Sequence, residues 1–532
     1  MKKWLLRIGG VFLLLLVAVL FWIGYNVRDR HPGYSKNLSI DPPQTPAPIK
    51  AGFAARKITP QVPDTWTDAD GDAKFHPEKG DTWQDGNRNG KFDGVWIAGF
   101  HNNRPAAGIH DDLWARAMVL DDGQTRIALV VLDAIGFLHD DVIEVRNRIP
   151  AELQVDYTIV CSTHDHEAPD LIGIWGPKIL KSGVDPAYRE MVIEQAAGAV
   201  VDAVQRLRPA KLRFAQDLES GKAWVQDSRR PYVLDPGIRV MHAVDAEADT
   251  TLGVLINWAN HPETLWSDNL YITSDFPHYI RKFVEEGIKK DGKTVLEGLG
   301  GVAVYVNGAI GGLMTTKPEF GIRDPFADTT YAGATFEKAR AQGAQVARVV
   351  FNLLKRTDLP TIHEGGIRLQ ARTIFIPMKN PNFRLAAALG VLDRGFSGWI
   401  KLRSEVSAWT IGPASFVTIP GEIYPEIVNG GIEAPPGQDF EIEPLEVPPI
   451  REMMPGEFRF VFGLANDEIG YIIPRSEWDE KPPYLYNASS SPYGEVNSLG
   501  ADAAPVIHSA VKALLRELSS EGEAITAKGK DE

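Results

Sequence analysis

The stretch that decides the fold is YTIVCSTHDHE, residues 157–167. Its opening, Tyr157 to Val160, is rich in β-branched residues and predicts a buried strand. Because side chains alternate along a strand, the pattern predicts that His164 and His166 face the same side. Two imidazoles on one face at a strand end suit a metal ion or proton transfer. The alternative is a polar loop with two solvated histidines.

Outward from this stretch, apolar strands alternate with helical patterns. The predicted strands are 51–55, 127–133, 157–160, 252–258, 301–306, 416–420 and 458–462. The predicted helices are 140–148, 188–207, 277–288, 334–355 and 504–518. This alternation predicts an α/β fold with mixed β-sheets flanked by helices, in a single large domain over residues 51–518. Residues 376–412 and 433–456 have no clear periodicity, and we assign them no element.

Composition limits the class of protein. The chain has 532 residues, of which 44% are hydrophobic and 24% charged, and this is typical of a globular protein with a large core. Its formal net charge of −14 argues against nucleic-acid binding and against docking on anionic lipid through a basic face. The single cysteine, Cys161, excludes an intrachain disulfide, and its place at a strand end predicts a buried, unreactive thiol.

The N-terminus carries a membrane signal. The run from Ile8 to Tyr25 holds no charge and would form a helix roughly 27 Å long, close to the ~30 Å hydrocarbon core of a bilayer. It ends in aromatic residues and not in a small-residue cleavage site, so residues 1–30 are predicted to be an uncleaved signal anchor. A cleaved signal peptide is the alternative. The proline-rich residues 31–50 are predicted to form a stiff tether. We therefore expect a membrane-anchored protein whose bulk is extracytoplasmic, in the periplasm or outside the cell.

Two Asp/Asn-rich segments lie in a predicted insertion over residues 61–94. Oxygen ligands at alternate positions around a tight turn are what Ca²⁺ prefers. The candidate ligands are Asp68, Asp70 and Asp72 in the first segment, and Asp85, Asn87, Asn89 and Asp93 in the second. Trp96 stands where a bidentate glutamate would complete the second segment as an EF-hand loop. The segments therefore predict structural Ca²⁺ sites, with Asx-rich surface turns as the alternative.

Further polar residues follow other predicted strands. The residues concerned are His164, His261, Glu422 and Tyr471. Each lies at or just beyond a strand end, where sites on α/β folds form. They are widely separated in sequence and belong to no shared local motif, so the residues alone leave a metal site open.

Several stretches together resemble the neutral, non-lysosomal ceramidase family, over most of residues 51–515. They are residues 98–117 with AGF, GIH and LWARA, residues 162–166 with STHDH, residues 257–261 with NWANH before Ser274-Asp275, residues 419–422 with IPGE, residues 463–471 with GLAN and a later tyrosine, and residues 486–494 with YNASSSPYG. Each motif is weak alone. Six motifs in the family's order are specific.

The resemblance implies one Zn²⁺ bound by nitrogen and oxygen ligands, a set that suits zinc. The ligands it implies are His164, His261, Glu422 and Tyr471. It also implies a metal-activated water as the nucleophile. His166 would then carry a proton or stabilise the oxyanion, and Tyr486 would donate a hydrogen bond to that oxyanion. Arg229 resembles the family's active-site arginine, with a surface arginine as the alternative.

Two departures from the family matter. The family places a serine after one strand, where this chain has Gly311 within residues 308–312. A hydroxyl nucleophile at that position is excluded, whereas attack by activated water needs only metal, base and oxyanion donor. The family's C-terminal β-sandwich is also expected to be absent, because the sequence ends in a charged tail, residues 519–532.

Three functions remain open from the sequence. The first is zinc-dependent hydrolysis of an N-acyl sphingolipid such as ceramide, beside the membrane that holds the anchor. The second is a zinc hydrolase acting on another amide or ester, and the third is a non-catalytic relative; loss of the family serine motivates both. The expected partners are Zn²⁺, a lipid or N-acyl amide substrate and the bilayer, and not nucleic acid.

Overall fold

Two β-sheets pack face to face, and helices cover the outer face of each sheet. The structure is a computed structural model that describes residues 2–528, apart from 313 and 399. The four layers confirm the α/β class, with mixed sheets flanked by helices, that the sequence predicts.

The larger sheet has nine strands. In spatial order they are Val302–Val306, Thr251–Asn257, Ile238–Asp245, Arg208–Asp217, Lys50–Lys57, Trp114–Asp121, Arg126–Leu132 and Tyr157–Ser162, with Thr361–Ile362 pairing beside Arg208–Asp217. The outermost pair at each end is parallel and the other pairs are antiparallel. The apolar run in Arg126–Leu132 is buried on both sides: Ile127 and Leu129 face the second sheet, whereas Ala128 and Val130 face helices.

The second sheet has five strands. In spatial order they are Asn37–Ile40, Ile367–Pro377, Lys401–Ile411, Ala414–Thr418 and Phe458–Phe462. The last pair is parallel, and this places the carboxyl ends of both strands at the same edge. Within the smaller sheet, the Trp409 ring stacks on Phe416 at 3.7 Å, and Phe416 stacks on Phe460 at 4.6 Å. Phe214 of the larger sheet stacks on Phe458 of the smaller sheet, with 5.6 Å between ring centroids, so aromatic contact also joins the two sheets into one core.

Six two-stranded ribbons complete the strands. They are Ala47–Pro48 with Glu364–Gly365, Thr65–Thr67 with Thr82–Gln84, Gly108–Ile109 with Tyr271–Ile272, Gly287–Lys290 with Lys293–Glu297, Ile322–Arg323 with Thr330–Tyr331, and Glu422–Ile423 with Tyr471–Ile472. The last ribbon lies at the candidate site described below.

Helices form the outer layers. The α-helices are Lys2–Asn26, His139–Arg148, Pro186–Gln205, Asp275–Glu286, Phe336–Leu354, Pro381–Ala388, Pro425–Asn429, Ile450–Met453, Tyr493–Val496 and Ala503–Lys528. The 3₁₀-helices are Pro77–Lys79, Ala151–Leu153, Ser220–Ala223, Arg475–Glu477 and Leu485–Asn487. Pro186–Gln205 covers the larger sheet, and it begins where the Asp185 side chain accepts from the Ala187 N–H with proline at the first position. Ala503–Lys528 covers the smaller sheet.

Parts of the chain differ from the expectations. The stretch 31–50 is not a free tether, because Asn37–Ile40 pairs with Ile367–Pro377 in the smaller sheet. The unassigned stretch 376–412 contains the whole strand Lys401–Ile411, whose charges hide its apolar pattern. One of these charges, Glu405, is buried and paired with Arg146 at 2.6 Å.

The final helix continues into the stretch expected to be a charged tail. It runs to Lys528, and residues 529–532 of the tail lie outside the described residues.

The helix Lys2–Asn26 stands apart from the body. Residues Arg7–Asn26 have a mean hydropathy of 2.5 and none is buried. The helix is long and apolar enough to cross a membrane, by length and composition, a property that a signal sequence shares. We call Lys2–Asn26 the anchor helix.

Candidate active site

The carboxyl ends of strands from both sheets meet at one edge of the core. The strand Tyr157–Ser162 of the larger sheet ends beside the loop that follows Phe458–Phe462 of the smaller sheet. The Ser162 N–H donates to the Leu464 carbonyl at 3.0 Å, and Cys161 forms a β-bridge with Ala465. The polar residues that follow these strands are therefore brought together.

His164 sits in a turn and not on the strand. The strand ends at Ser162, and His164 has φ +67°, in the left-handed region that costs a non-glycine residue about 1–3 kcal/mol. The alternation argument for the two histidines is therefore wrong, although both face one cleft. The His164 Nδ1–H donates to the Ile135 carbonyl at 2.7 Å, and this leaves Nε2 directed inward.

His261 is held in the same way from the other side. It follows the strand Thr251–Asn257, and its Nδ1–H donates to the Met314 carbonyl at 2.7 Å. Its Nε2 lies 3.0 Å from Oε2 of Glu422, and the Nε2 of His164 lies 3.4 Å from the same oxygen. Two imidazoles and one carboxylate thus converge on a single point.

Glu422 is positioned together with Tyr471 by a two-residue ribbon. Glu422–Ile423 pairs in parallel with Tyr471–Ile472, with Glu422 opposite Tyr471. Side chains directly opposite in such a pair are close neighbours. Both residues are buried, and both line the same cleft. The structure therefore brings together all four predicted metal ligands.

The electrostatics follow from burial and mutual attraction. Burial alone would raise the pKa of Glu422, but the two facing imidazoles outweigh it and lower the pKa to about 2. Burial would lower the pKa of His261, but the Glu422 carboxylate reverses this and raises it. Burial, with Glu422 nearby, raises the pKa of Tyr471 well above its usual value. The site thus holds the Glu422 carboxylate as a buried charge.

His166 lies beside this cluster and was predicted from the same stretch. Its ring centroid is 4.8 Å from that of His164 and 5.7 Å from that of His261. One nitrogen from each of these three histidines lies within 4.8 Å of the others. Neither ring nitrogen of His166 has a hydrogen-bond partner among the residues that the structure describes. Burial, together with the other two imidazoles, lowers the pKa of His166 well below its usual value, so this ring is neutral.

Two residues that sequence reasoning missed surround His166. Glu263 places Oε2 3.4 Å from the Nδ1 of His166, and Arg104 donates to the His166 carbonyl. Arg104 is fully buried and lies 3.7 Å from the carboxylate of Glu167, which is also fully buried. The available signals were the position of Glu263 two residues after His261 and that of Glu167 directly after His166.

A narrow cleft, with a volume of about 90 Å³, opens above the cluster. Its polar floor includes His164, His166, Glu422 and Tyr471, and its wall is largely apolar. The apolar residues of the wall are Ile172, Ile174, Trp175, Met378, Phe383, Leu392, Ile469 and Leu499. A few polar groups beside apolar walls are typical of a site for a ligand with an apolar tail.

Arg229 and Tyr486 lie elsewhere. They line a second pocket of about 350 Å³, and neither is among the residues that line the cleft. Arg229 pairs with Glu495 and stacks over the Tyr424 ring at 5.1 Å, whereas the Tyr486 hydroxyl donates to Glu433 at 3.2 Å. The Tyr424 ring lies between Arg229 and Tyr471, because it also neighbours Tyr471 at 6.1 Å between centroids. Their catalytic roles stay predictions.

At Gly311, the position of the family serine, neighbouring residues leave no space for a side chain. Gly311 is buried, and its N–H donates to the Ile423 carbonyl at 2.9 Å. A Cβ added to Gly311 would lie 2.5 Å from Cδ2 of Tyr424 and 2.6 Å from its amide nitrogen. The residues that follow Glu422 therefore occupy the space that a side chain at 311 would need.

The first Asp/Asn segment differs in one ligand from the prediction. Carboxylate oxygens of Asp68, Asp70 and Asp81 lie within 4.8 Å of one another, whereas Asp72 pairs with Lys79 at 2.6 Å. Asp81 was missed because it lies outside the alternating pattern.

In the second segment, the acids are bound by their own loop. Asp85 accepts from the N–H groups of Asn89 and Gly90, at 3.1 and 2.7 Å, and Asp93 accepts from the side-chain amides of Asn87 and Asn89. Calcium binding at both segments stays a prediction.

Solved structures of ceramidases have a similar fold. The crystal structure of neutral ceramidase from Pseudomonas aeruginosa matches with a TM-score of 0.60 and 15% sequence identity, over 89% of this chain and 75% of that one. A ceramidase complexed with C2 matches with the same score and identity, over 89% and 76%. At this identity the match shows the fold. No curated protein matches the sequence at a significant level.

The sequence itself supplies the closer link. Residues 89–316 match the family model described as neutral/alkaline non-lysosomal ceramidase, N-terminal. The fold and this match define an amidohydrolase. Residues 89–316 thus resemble the neutral/alkaline non-lysosomal ceramidase family, and the resemblance drawn from the motifs is confirmed.

Proposed function

We propose that the protein is a zinc-dependent amide hydrolase that cleaves an N-acyl sphingolipid of the ceramide type. The observation that carries the proposal is the convergence of His164 and His261 on one oxygen of Glu422, at 3.4 and 3.0 Å, beneath a cleft with apolar walls. The family match over residues 89–316 supports the choice of an amide bond.

The residues present fit a zinc ion. Both ligand histidines donate their Nδ1–H to backbone carbonyls, so each presents the lone pair of Nε2 to the cluster. Glu422 adds a carboxylate, and the phenol of Tyr471 lines the same floor. Two nitrogens, a carboxylate oxygen and a phenol oxygen form a donor set that Zn²⁺ accepts. When bound there, the ion would lower the pKa of a water to about 7 and polarise the substrate carbonyl.

The protein's own groups would then handle protons and position the amide. His166 is neutral, so its free ring nitrogen can accept a proton, and Glu263 at 3.4 Å can stabilise the resulting imidazolium. This is the proton-carrier role predicted for His166. Arg104 fixes the backbone of His166 and so the direction of its ring.

A hydrogen-bond donor to the developing oxyanion is also required. The donor expected from the resemblance, Tyr486, binds Glu433 here, so this role requires the segment Leu485–Asn487 to move toward the cleft. Tyr493, in the following helix Tyr493–Val496, is a second phenol and already lines the cleft. Burial raises the pKa of Tyr493 to about 12, and it therefore keeps its proton at neutral pH and can donate. Arg229 would act indirectly, through Tyr424.

The substrate class follows from the shape of the cleft. An acyl chain would lie along the apolar wall while its amide carbonyl faces His166 and the ligand cluster. A hydrolase of another amide or ester is the second candidate, and it is favoured by Gly311, which removes the hydroxyl of the family serine. Location at a membrane, with the domain extracytoplasmic and the anchor helix in the bilayer, forms part of the proposal.

The test uses the full-length protein in detergent. We expect about one zinc per chain by elemental analysis and release of fatty acid from ceramide. His164→Ala should remove both, whereas His242→Ala should keep both, because His242 is buried far from the cleft and bonds only Thr251. Cleavage of other N-acyl amides or esters with ceramide inert would favour the second candidate. Bound zinc without turnover of any acyl substrate would refute catalysis.

A further inference from the structure

An exposed apolar turn lies close to the cleft. Residues Lys178 to Lys181 form a tight turn, closed by the Lys181 N–H donating to the Lys178 carbonyl at 2.9 Å. At its tip, Ile179 is 77% exposed and Leu180 is 61% exposed. Two adjacent aliphatic side chains that stay in water between lysines do not stabilise the fold of this domain.

The turn is fixed to the wall of the cleft. Ile174 and Trp175, a few residues before it, are part of that wall, and Asn102 donates to the Ile174 carbonyl at 2.9 Å. At its base, Gly173 packs so closely on the Val391 carbonyl that an added Cβ would lie 2.1 Å from the oxygen. The turn therefore cannot swing freely relative to the cleft.

A second exposed apolar group lies on a helix that lines the cleft. The helix Pro381–Ala388 begins where the Asn380 side chain accepts from the N–H groups of Asn382 and Phe383. Phe383 lines the cleft, while Leu385 on the same helix is 53% exposed. We call Ile179, Leu180 and Leu385 the apolar rim.

The anchor helix joins the body at this place. Its last residue, Asn26, donates from its side-chain amide to the Ala388 carbonyl at 2.9 Å, at the end of the helix that carries Leu385. Arg30 then pairs with Asp393, and Arg189 of the domain pairs with the same carboxylate. The apolar part of the anchor has 20 residues, about 30 Å of helix, so its body-side end would lie at a bilayer surface.

We propose that the apolar rim inserts into the interfacial layer of the same bilayer that holds the anchor helix, with the cleft opening toward lipid. The partner is a phospholipid bilayer, and the contact is apolar. Because the chain carries a net charge of −14, attraction to anionic lipid is not what holds the rim, and Lys178 and Lys181 can reach the phosphates of zwitterionic lipid. An N-acyl lipid would then pass from the bilayer into the cleft without crossing water.

This consequence for the substrate rests on the proposed function, whereas the docking itself can be measured without turnover. The only cysteine, Cys161, is fully buried, so a thiol introduced at the surface can be labelled alone. The full-length Ile179→Cys protein, carrying an NBD fluorophore, is reconstituted in phosphatidylcholine vesicles that contain doxyl-labelled lipid. Val295→Cys serves as the matched control, because Val295 is 46% exposed on the ribbon Gly287–Lys290 with Lys293–Glu297, outside the apolar rim.

We expect the fluorophore at position 179 to shift to the blue and to be quenched by doxyl lipid, and the one at position 295 to show neither effect. An unquenched probe at position 179, or equal quenching at both positions, would overturn the proposal.

A second measurement uses turnover. In the double variant Ile179→Ser and Leu180→Ser, hydrolysis of a long-chain N-acyl lipid in vesicles should fall about tenfold, as expected when apolar contact with the bilayer is lost. Hydrolysis of a short-chain, water-soluble N-acyl substrate should not change, because neither residue lines the cleft. An equal fall on both substrates would contradict docking, and a protein with no turnover at all would leave the quenching result to decide.

Discussion

Replacing Gly311 by serine, the residue of the family at this position, should damage the site and not restore a nucleophile. The added Cβ would lie 2.5 Å from Cδ2 of Tyr424, 2.6 Å from its amide nitrogen and 2.7 Å from the carbonyl carbon of Ile423. Two of these three atoms belong to the backbone, so no side-chain rotation relieves the contact. The segment that follows Glu422 must move instead.

The magnitude follows from this packing. Overfilling a well-packed interior destabilises a protein by about 1–3 kcal/mol. At roughly 2 cal/mol/K of unfolding entropy per residue, a domain of this size has an unfolding entropy near 1 kcal/mol/K, so Tm should fall by only about 1–3 °C. The effect on the site should be larger, because Glu422 directly precedes Ile423 and pairs with Tyr471. A misplacement of about 1 Å in such a site can lower the rate about 100-fold.

The assay compares the wild type with Gly311→Ser and Gly311→Ala. We measure Tm, zinc retained after dialysis against a competing chelator, and kcat/KM on ceramide. Both variants should lose zinc affinity and activity to the same extent, because the β-carbon that they share makes the contact. A serine variant that keeps its zinc and exceeds the wild type in kcat/KM would refute the reasoning, and so would damage in the alanine variant alone.

Further predictions concern buried groups around the cleft and the Asp/Asn-rich insertion. Arg104→Ala should lower the free energy of unfolding, measured with urea, by about 1–3 kcal/mol for each of the two backbone carbonyls, those of Ala98 and His166, that lose their donor; an unchanged value would contradict this bonding. His166→Leu should abolish turnover while leaving the metal-free protein at least as stable, because it removes two unpartnered ring nitrogens; retained activity would exclude His166 as the proton carrier. Added Ca²⁺ should raise Tm in the wild type and in Asp72→Asn but not in Asp68→Asn, because Asp72 is already paired with a lysine; equal shifts in all three would place the ion elsewhere.

The main fold could be predicted because its strands are long and apolar. Arg126–Leu132 is buried on both faces, so its sequence reads as one continuous hydrophobic run. The pairing of Lys401–Ile411 with Ile367–Pro377 escaped prediction because buried charges interrupt the pattern. Glu405 is one of them, and only the tertiary structure supplies its partner Arg146.

The site could be predicted only through family motifs. Glu422 and Tyr471 meet in a ribbon of two residues per strand, which is too short for any periodic pattern to reveal. His164 was correctly placed in the cluster for the wrong reason, since a left-handed turn and not strand alternation directs its ring. Motif likeness also cannot show which side chains reach the cleft, and Arg229 and Tyr486 illustrate this, because both line another pocket and the Tyr424 ring lies between Arg229 and Tyr471.

The energetic cost of the site argues against a purely structural or binding role for this domain. Both ring nitrogens of His166 are buried without partners among the described residues, and each such group costs about 1–3 kcal/mol. His164 adds a left-handed backbone conformation, and Glu422 a buried carboxylate. An apolar floor would avoid all three costs and would still give an acyl chain a binding surface. In the polar floor, a bound cation and a reacting amide would supply the missing charge and hydrogen-bond partners. This need for partners favours catalysis over retention of the fold alone.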